Sequence, residues 1–346
     1  MLRIATWRVP DGNEEKGVLM RQRYLGRTGM VVSEVCLGTM TFGNGADPEG
    51  ARAIVERFRE AGGTFFDTAD VYTGGRSEEI LGDILRKDRD QVVIATKAFA
   101  RVGEGPNDVS SSRRHLVKAV DASLRRLGTD WIDLYQVHRW DATTPLDETL
   151  AALDDLIRAG KVLYVGVSNW VGWQIERAAR LQEAAGYDRM VSLQPQYSLV
   201  ERNIELETLP AAWANGLGVL AWSPLAAGFL SGKYSRGEPA DGKGRFAQWI
   251  EHLTDQDWEV LHSVCDIAKA FDTQPATVAV AWLLSKPSVI PIVGATRAEQ
   301  LDATLAATEL TLDAALIASL DAVSAPIDGY PWDVDNWPLS GRPARA

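Results

Sequence analysis

Four residues of the 346-residue chain have types and neighbours suited to proton transfer: Asp67, Tyr72, Lys97 and His138. Asp67 closes the apolar run FFD, Tyr72 follows in the loop DTADVY, Lys97 closes VVIATK and His138 closes LYQVH. Each alone has an ordinary explanation as a turn cap, a loop aromatic, a solvated cation or a core histidine. Together they form a circuit. A lysine buried at the end of an apolar strand needs a carboxylate, and Asp67 on a neighbouring strand end supplies one. A phenol beside that ammonium gives up its proton more readily, so Tyr72 can serve as an acid, with His138 in the same hydrogen-bond network.

Such a circuit requires the strand ends to converge. Eight short β-branched or aromatic runs recur along the chain: VCLG, TFFD, QVVIATK, WIDLYQVH, VLYVGVSN, MVSLQP, GVLAWSP and SVIPIVG. Between them lie segments of helical spacing at 48–60, 77–85, 111–127, 145–158, 171–185, 209–215, 275–284 and 297–307. Several runs are apolar on both faces, as parallel strands covered by helices are. Eight strand-helix alternations therefore predict a (β/α)8 TIM barrel, with a doubly wound sheet as the alternative.

Barrel enzymes build their sites at the C-terminal strand ends, where Ser168, Asn169, Gln194, Trp222, Ser223 and Gly294 also gather. Outside the repeat, YLGRTGMVVSEV predicts an N-terminal β-hairpin. Residues 225–255 form a long loop after strand seven, a candidate lid, and a further helix is expected at 255–270. The division expected is an extension at 1–21, a barrel at 22–325 and an irregular tail at 326–346 near the barrel mouth, carrying Trp332 and Trp337.

Composition removes whole classes of function. With 46% hydrophobic and 24% charged residues the chain can bury a core, so it is neither disordered nor fibrous. Lys and Arg number 36 against 47 Asp and Glu, a net charge of −11 without a basic run, which argues against nucleic acid and anionic membranes. Cys36 and Cys265 stand far apart with no metal-ligand spacing around them, so no metal site is expected, and a reducing cytoplasm fits. No apolar stretch has the length of a membrane span or a signal peptide. GLGVLA precedes a strand instead of following one, and GEPADGKG lacks a Ser or Thr after Lys243; neither reads as a phosphate loop.

The strings GTMTFG, FFDTADVY, VVIATK, LYQVH, GVSN, WSPLAAGFLSGKY and PIVGATRAEQL make residues 22–325 resemble the aldo-keto reductases. These are (β/α)8 barrels that transfer hydride between a nicotinamide cofactor and a carbonyl. The resemblance implies that Tyr72 is the general acid, that Lys97 held by Asp67 activates it, and that His138 orients the substrate oxygen. It implies that Ser168, Asn169 and Gln194 hold the carboxamide and that Trp222 stacks on the nicotinamide, with Gly38, Thr39 and Met40 also near the cofactor. Ser223, Pro224, Leu225, Gly228 and Lys233 resemble the pyrophosphate segment, with Arg245 folding over.

Gly294, Thr296, Arg297 and Gln300 resemble the part around the adenosine ribose. A hydroxyl and a guanidinium at a helix start suit a 2′-phosphate, so NADP (NADPH) is the cofactor expected. Ala303 and Thr304 stand where family members often carry Glu-Asn, which implies altered contacts to adenine. The expected substrate wall is Met40, Phe42, Tyr72, Arg139, Trp140, Trp170 and Trp332, suited to a small apolar or ring-containing carbonyl or alcohol. The strings WSPLA and SGKY are also similar to potassium-channel β subunits of the same fold. That leaves open a cofactor-binding, redox-reading subunit with little turnover.

Overall fold

Successive residues of a strand face opposite sides, so each short strand can give one side to the barrel interior and the other to the surrounding helices. The computed structural model, which describes residues 20–236, 253–327, 329 and 332, shows this sorting. Eight parallel strands close into a barrel: β3 (Cys36–Gly38), β4 (Phe65–Asp67), β5 (Val93–Ala98), β6 (Ile132–Val137), β7 (Val162–Ser168), β8 (Ser192–Gln194), β9 (Gly218–Ala221) and β10 (Val289–Val293). Neighbours in space follow the chain, and β10 pairs with both β9 and β3 to complete the ring. The predicted (β/α)8 barrel is therefore the fold.

Inside the ring, Cys36, Phe65, Ala95, Leu134, Leu220, Ile290 and Ile292 form a small apolar cluster. The residues two further along β4, β5 and β6 share its parity and are Asp67, Lys97 and Gln136, and Trp222, two past Leu220, follows the end of β9. A polar layer thus sits on an apolar one. The intervening residues Phe66, Tyr135, Val165, Val167, Leu193 and Val219 belong to the larger core beneath the helices.

Those helices are α1 (Pro48–Glu60), α2 (Arg76–Leu85), α3 (Arg113–Leu127), α4 (Leu146–Arg158), α5 (Gly172–Ala185), α6 (Thr208–Ala214), α7 (Asp255–Ala270), α8 (Pro275–Leu284), α9 (Gln300–Leu305) and α10 (Ala314–Val323). Their starts follow ordinary capping: Asp47 accepts from the Gly50 amide at 2.8 Å ahead of Pro48, and Ser112 accepts from the His115 amide at 3.3 Å. Two elements differ from expectation. The helix expected over 297–307 is regular only over Gln300–Leu305. The Gln300 side-chain oxygen caps the turn before it, accepting from the Thr296 and Arg297 amides at 2.8 and 3.3 Å. The second difference is α10, which follows the last barrel helix without having been expected; Asp313 caps it through the Leu316 amide at 2.8 Å.

Below the barrel, β1 (Gln22–Tyr24) and β2 (Val31–Ser33) form the predicted antiparallel hairpin. It seats Leu25 and Val32 in the interior apolar cluster. Gly26 has φ +53° and lies so close to the Gly216 carbonyl that a Cβ would come within 2.6 Å. Buried Glu34 fixes this floor by accepting from Arg21 Nε at 3.0 Å, and Arg23 donates to the Val289 carbonyl at 2.6 Å. Residues 1–19 of the expected extension at 1–21, most of the tail and the stretch 237–252 of the long loop lie outside the described residues. Among the described residues no helix is long and apolar enough to cross a membrane.

Candidate active site

The polar layer is organised around one carboxylate. Lys97 is fully buried and its Nζ donates to Asp67 Oδ1 and to the Thr68 carbonyl, both at 2.6 Å. Asp67 Oδ2 accepts from Gln194 Nε2 at 2.9 Å and from Gln136 Nε2 at 3.4 Å. Burial alone would make Lys97 give up its proton, but the charge of Asp67 and the bonds to Asp67 and Tyr72 outweigh it and raise its pKa. The ammonium therefore stays charged in a dry site.

Gln136 is a member of this layer that no motif singled out. The alternation that places Leu134 inside the barrel also places Gln136 inside, so strand parity was the signal. Room for it comes from Gly166, where a Cβ would lie 2.0 Å from Ser192 Oγ and 3.3 Å from Gln136 Cγ.

Tyr72 enters from the β4–α2 loop. Its hydroxyl is 3.5 Å from Lys97 Nζ, and the ammonium lies 5.0 Å from the centre of its ring. The loop is aligned along β5 by two backbone bonds, Thr68 N to Ala95 O at 2.9 Å and Asp70 N to Lys97 O at 3.0 Å. The imidazole of His138 meets Tyr72 edge to face, with ring centroids 5.9 Å apart. Burial, and after it the Lys97 charge, pulls the His138 pKa down to about 3, so the ring is neutral at pH 7. Its Nδ1 is buried without a hydrogen-bond partner. The four residues read from the sequence thus meet at the mouth end of the barrel.

A cavity of about 670 Å³ opens above them, walled by Gly38, Thr39, Met40, Asp67, Tyr72, His138, Ser168, Asn169, Gln194 and Trp222. Ser168 Oγ donates to the Gln194 carbonyl at 2.8 Å, Asn169 Nδ2 donates to the His138 carbonyl at 3.1 Å, and Trp222 Nε1 donates to Asn169 Oδ1 at 3.0 Å. These bonds fix the plane of the indole. Asn169 sits in the left-handed region at φ +58°, a conformation its short amide tolerates. The cavity continues past Ser223, Pro224, Leu225, Gly228 and Lys233 to Gly294, Thr296 and Gln300. Thr41, Ala227, Tyr234, Val293, Ala295 and Thr304 also line it and were not among the residues expected to bind. Thr304 Oγ1 donates to the Leu301 carbonyl at 2.9 Å.

Other expected residues lie elsewhere. Arg297 borders an adjoining hollow with Gly45, Asp47 and Gly50, next to Thr296, which lines both spaces. Phe42, expected on the substrate wall, is fully buried under the helices and does not face the cavity, because the turn after β3 directs its ring into the core. Trp170 is likewise buried. Trp140 packs edge-on against it at 4.8 Å and against Trp173 at 5.3 Å, so these three rings form a cluster beside His138 and Asn169 without lining the cavity. Trp173, 51% exposed, was missed. Arg139 is exposed, and Trp332, 38% exposed, does not reach the cavity wall. Arg245 lies outside the described residues.

The aldo/keto reductase family model matches residues 34–325, which span every barrel strand and the whole of this site. The chain belongs to the aldo/keto reductase family. It is 39% identical over 320 residues to the uncharacterized oxidoreductase YrpG of Bacillus subtilis, covering 88% of this chain and 96% of that protein. To a probable voltage-gated potassium channel subunit beta of Oryza sativa it is 38% identical over 293 residues, covering 82% of this chain and 89% of the other. To the L-glyceraldehyde 3-phosphate reductase of Escherichia coli it is 33% identical over 328 residues, 89% of this chain and 94% of that one. Family membership and oxidoreductase relatives support carbonyl reduction as the chemistry of this aldo/keto reductase.

Proposed function

We propose that the protein is an NADPH-dependent carbonyl reductase in which Tyr72 donates the proton. The observation that carries this reading is the Asp67–Lys97–Tyr72 chain facing His138 at the floor of an elongated cavity. The donor set suits a dinucleotide: amide and hydroxyl groups of Asn169, Gln194 and Ser168 at one end, the Trp222 face beside them, Lys233 midway, and Thr296 with Gln300 at the other end. Arg297, which borders the adjoining hollow beside Thr296, supplies the guanidinium that would pair with a 2′-phosphate, which supports NADP over NAD. When bound, the nicotinamide supplies the hydride.

The chain's own residues do the rest. The Tyr72 hydroxyl and neutral His138 converge on the space where a carbonyl oxygen gains negative charge, and their hydrogen bonds stabilise it. Tyr72 then passes its proton to that oxygen, and the fixed ammonium of Lys97 favours the phenolate left behind. Because Lys97 is already held by Asp67 and Thr68, little reorganisation accompanies the step.

A second reading, a channel-associated subunit that binds cofactor and turns over slowly, is supported by the 38% identity to the rice channel subunit. Repeated turnover with a panel of aldehydes and ketones supports the enzyme, whereas one cofactor oxidised per chain and then retained supports the subunit. Tyr72→Phe tests the acid: turnover should fall about 10²–10⁴-fold with NADPH affinity retained. Near-normal turnover in that variant removes the role assigned to Tyr72.

A further inference from the structure

The loop from β4 to α2 carries Tyr72, and its two ends meet in a group of hydroxyls that the proposed reaction does not use. Thr39, Thr68 and Ser77 are all fully buried. Ser77 Oγ donates to the Thr39 carbonyl at 2.8 Å, which leaves its lone pairs for Thr68 Oγ1 at 3.0 Å and Thr39 Oγ1 at 2.8 Å. The bond between Thr68 and Ser77 closes the neck of the loop. The bonds to Thr39 tie that neck to the end of β3, where the Thr39 amide donates to the Asp67 carbonyl at 2.9 Å.

Ser77 lies in the first turn of α2 but does not cap it, since these side-chain bonds all leave the helix. Farther out, Thr73, the residue after Tyr72, is a β-branched residue in the left-handed region at φ +50°. Such a backbone persists only where the surroundings impose it. The Thr73 hydroxyl donates to the Phe42 carbonyl at 3.1 Å, and its methyl group packs against Gly43, where a Cβ would come within 3.3 Å of it. Residues 39–42 thus accept bonds from both the neck and the shoulder of the loop. They are themselves fixed: Phe42 is fully buried in the core, and Thr41 Oγ1 donates to the Ala295 carbonyl at 2.6 Å.

We infer that Ser77 is a positioning residue for Tyr72, with Thr73 as its outer support: their hydroxyls hang the loop from residues 39–42 and hold the phenol at its 3.5 Å from Lys97 Nζ. Thr68 adds a link to the ammonium itself, because its carbonyl accepts from Lys97 Nζ at 2.6 Å. Neck, phenol and ammonium are therefore parts of one frame. Without the clasp the phenol can drift, and a displacement of about 1 Å can cost on the order of 10²-fold in rate.

The inference rests on the catalytic reading of Tyr72, and its tests separate the two. In NADPH-dependent reduction of benzaldehyde, Ser77→Ala should lower kcat about 10–100-fold while NADPH affinity stays within about threefold, since Thr41 and Phe42 keep the cavity wall in place. A lower melting temperature with kcat per folded molecule unchanged would make Ser77 merely structural and overturn the inference. An equal loss of NADPH affinity would overturn it too. Should Ser77→Ala not fold, the exposed Thr73 carries the test: Thr73→Val should lose about three- to tenfold in kcat, and Thr73→Ser should keep the wild-type value. Equal rates in these two variants would contradict the role given to the hydroxyl. A readout without turnover is the ring signal of Tyr72 in NMR spectra of protein carrying isotope-labelled tyrosine, identified by its loss in Tyr72→Phe. That ring lies 5.9 Å from the His138 ring, so its signal should shift or broaden in Ser77→Ala and Thr73→Val and stay in place in Thr73→Ser. An unmoved signal in the first two would refute the positioning role. Full turnover in Tyr72→Phe would sink the catalytic reading and leave the ring signal to decide whether the loop is held in this way.

Discussion

Replacing Asp67 by Asn removes one negative charge from the place where the structure is least able to supply another. Lys97 has a side chain 0% exposed and Asp67 one 3% exposed, so no water can take over from the lost carboxylate. The Asn oxygen can still accept from Lys97, but its amide nitrogen then faces Gln194 Nε2 and Gln136 Nε2, both donors to Asp67 Oδ2. Breaking a buried pair by removing one partner costs about 3–5 kcal/mol. An exposed pair such as Arg76–Glu79, whose side chains are 52% and 45% exposed, is worth only about 0.2–1 kcal/mol.

With an unfolding entropy of roughly 0.7 kcal/mol/K for a chain of this length, the loss corresponds to a melting temperature lower by about 4–7 °C. Calorimetry at neutral pH measures it. In the variant the folded state disfavours the Lys97 charge, so its deficit should shrink as pH rises toward the ordinary lysine range. The double variant Asp67→Asn/Lys97→Met should recover much of the loss, because no buried charge then lacks a partner. A deficit below about 1 kcal/mol, or a double variant no more stable than the single, would refute the claim that the ammonium depends on this carboxylate.

Arg297→Ala should weaken NADPH by about 10–100-fold and NADH hardly at all, as titration of the two cofactors by fluorescence would show; equal losses would mean that Arg297 does not meet the phosphate. Gly82→Ala should destabilise by about 1–3 kcal/mol or more in denaturant titration, because a Cβ there would sit 2.3 Å from the Leu127 carbonyl and push α2 from α3. His138 should add an acid-dependent term to stability. On acidification from about pH 6.5 toward pH 3 the unfolded chain binds a proton that the folded ring refuses, so stability falls by up to about 1.4 kcal/mol per pH unit. His138→Gln should flatten that part of the melting-temperature profile.

The barrel was legible because each strand is a short apolar run and each helix a longer amphipathic one, and because both periods change abruptly at the boundaries. What escaped was local. Helix α9 is shortened by a side chain, Gln300, that competes for the amides of its would-be first turn, and no periodicity reports such a capture. At the site, Asp67, Lys97 and His138 were visible as polar residues ending apolar runs, and Tyr72 as the phenol in the loop that follows the first of them. Gln136 was hidden because it lies within its run and not at the end, although its parity with Leu134 was available. Phe42 and Trp170 show the opposite difficulty: an aromatic in a loop beside a site can turn inward, and its type does not say which way it points.

The hairpin beneath the barrel settles how molecules are exchanged. With Leu25 and Val32 filling the lower interior and Glu34 held by Arg21, the floor offers no passage, and traffic must use the mouth. On the function proposed above, cofactor and carbonyl share one doorway, and a molecule lying against Gln194 and Trp222 is screened by one that arrives after it.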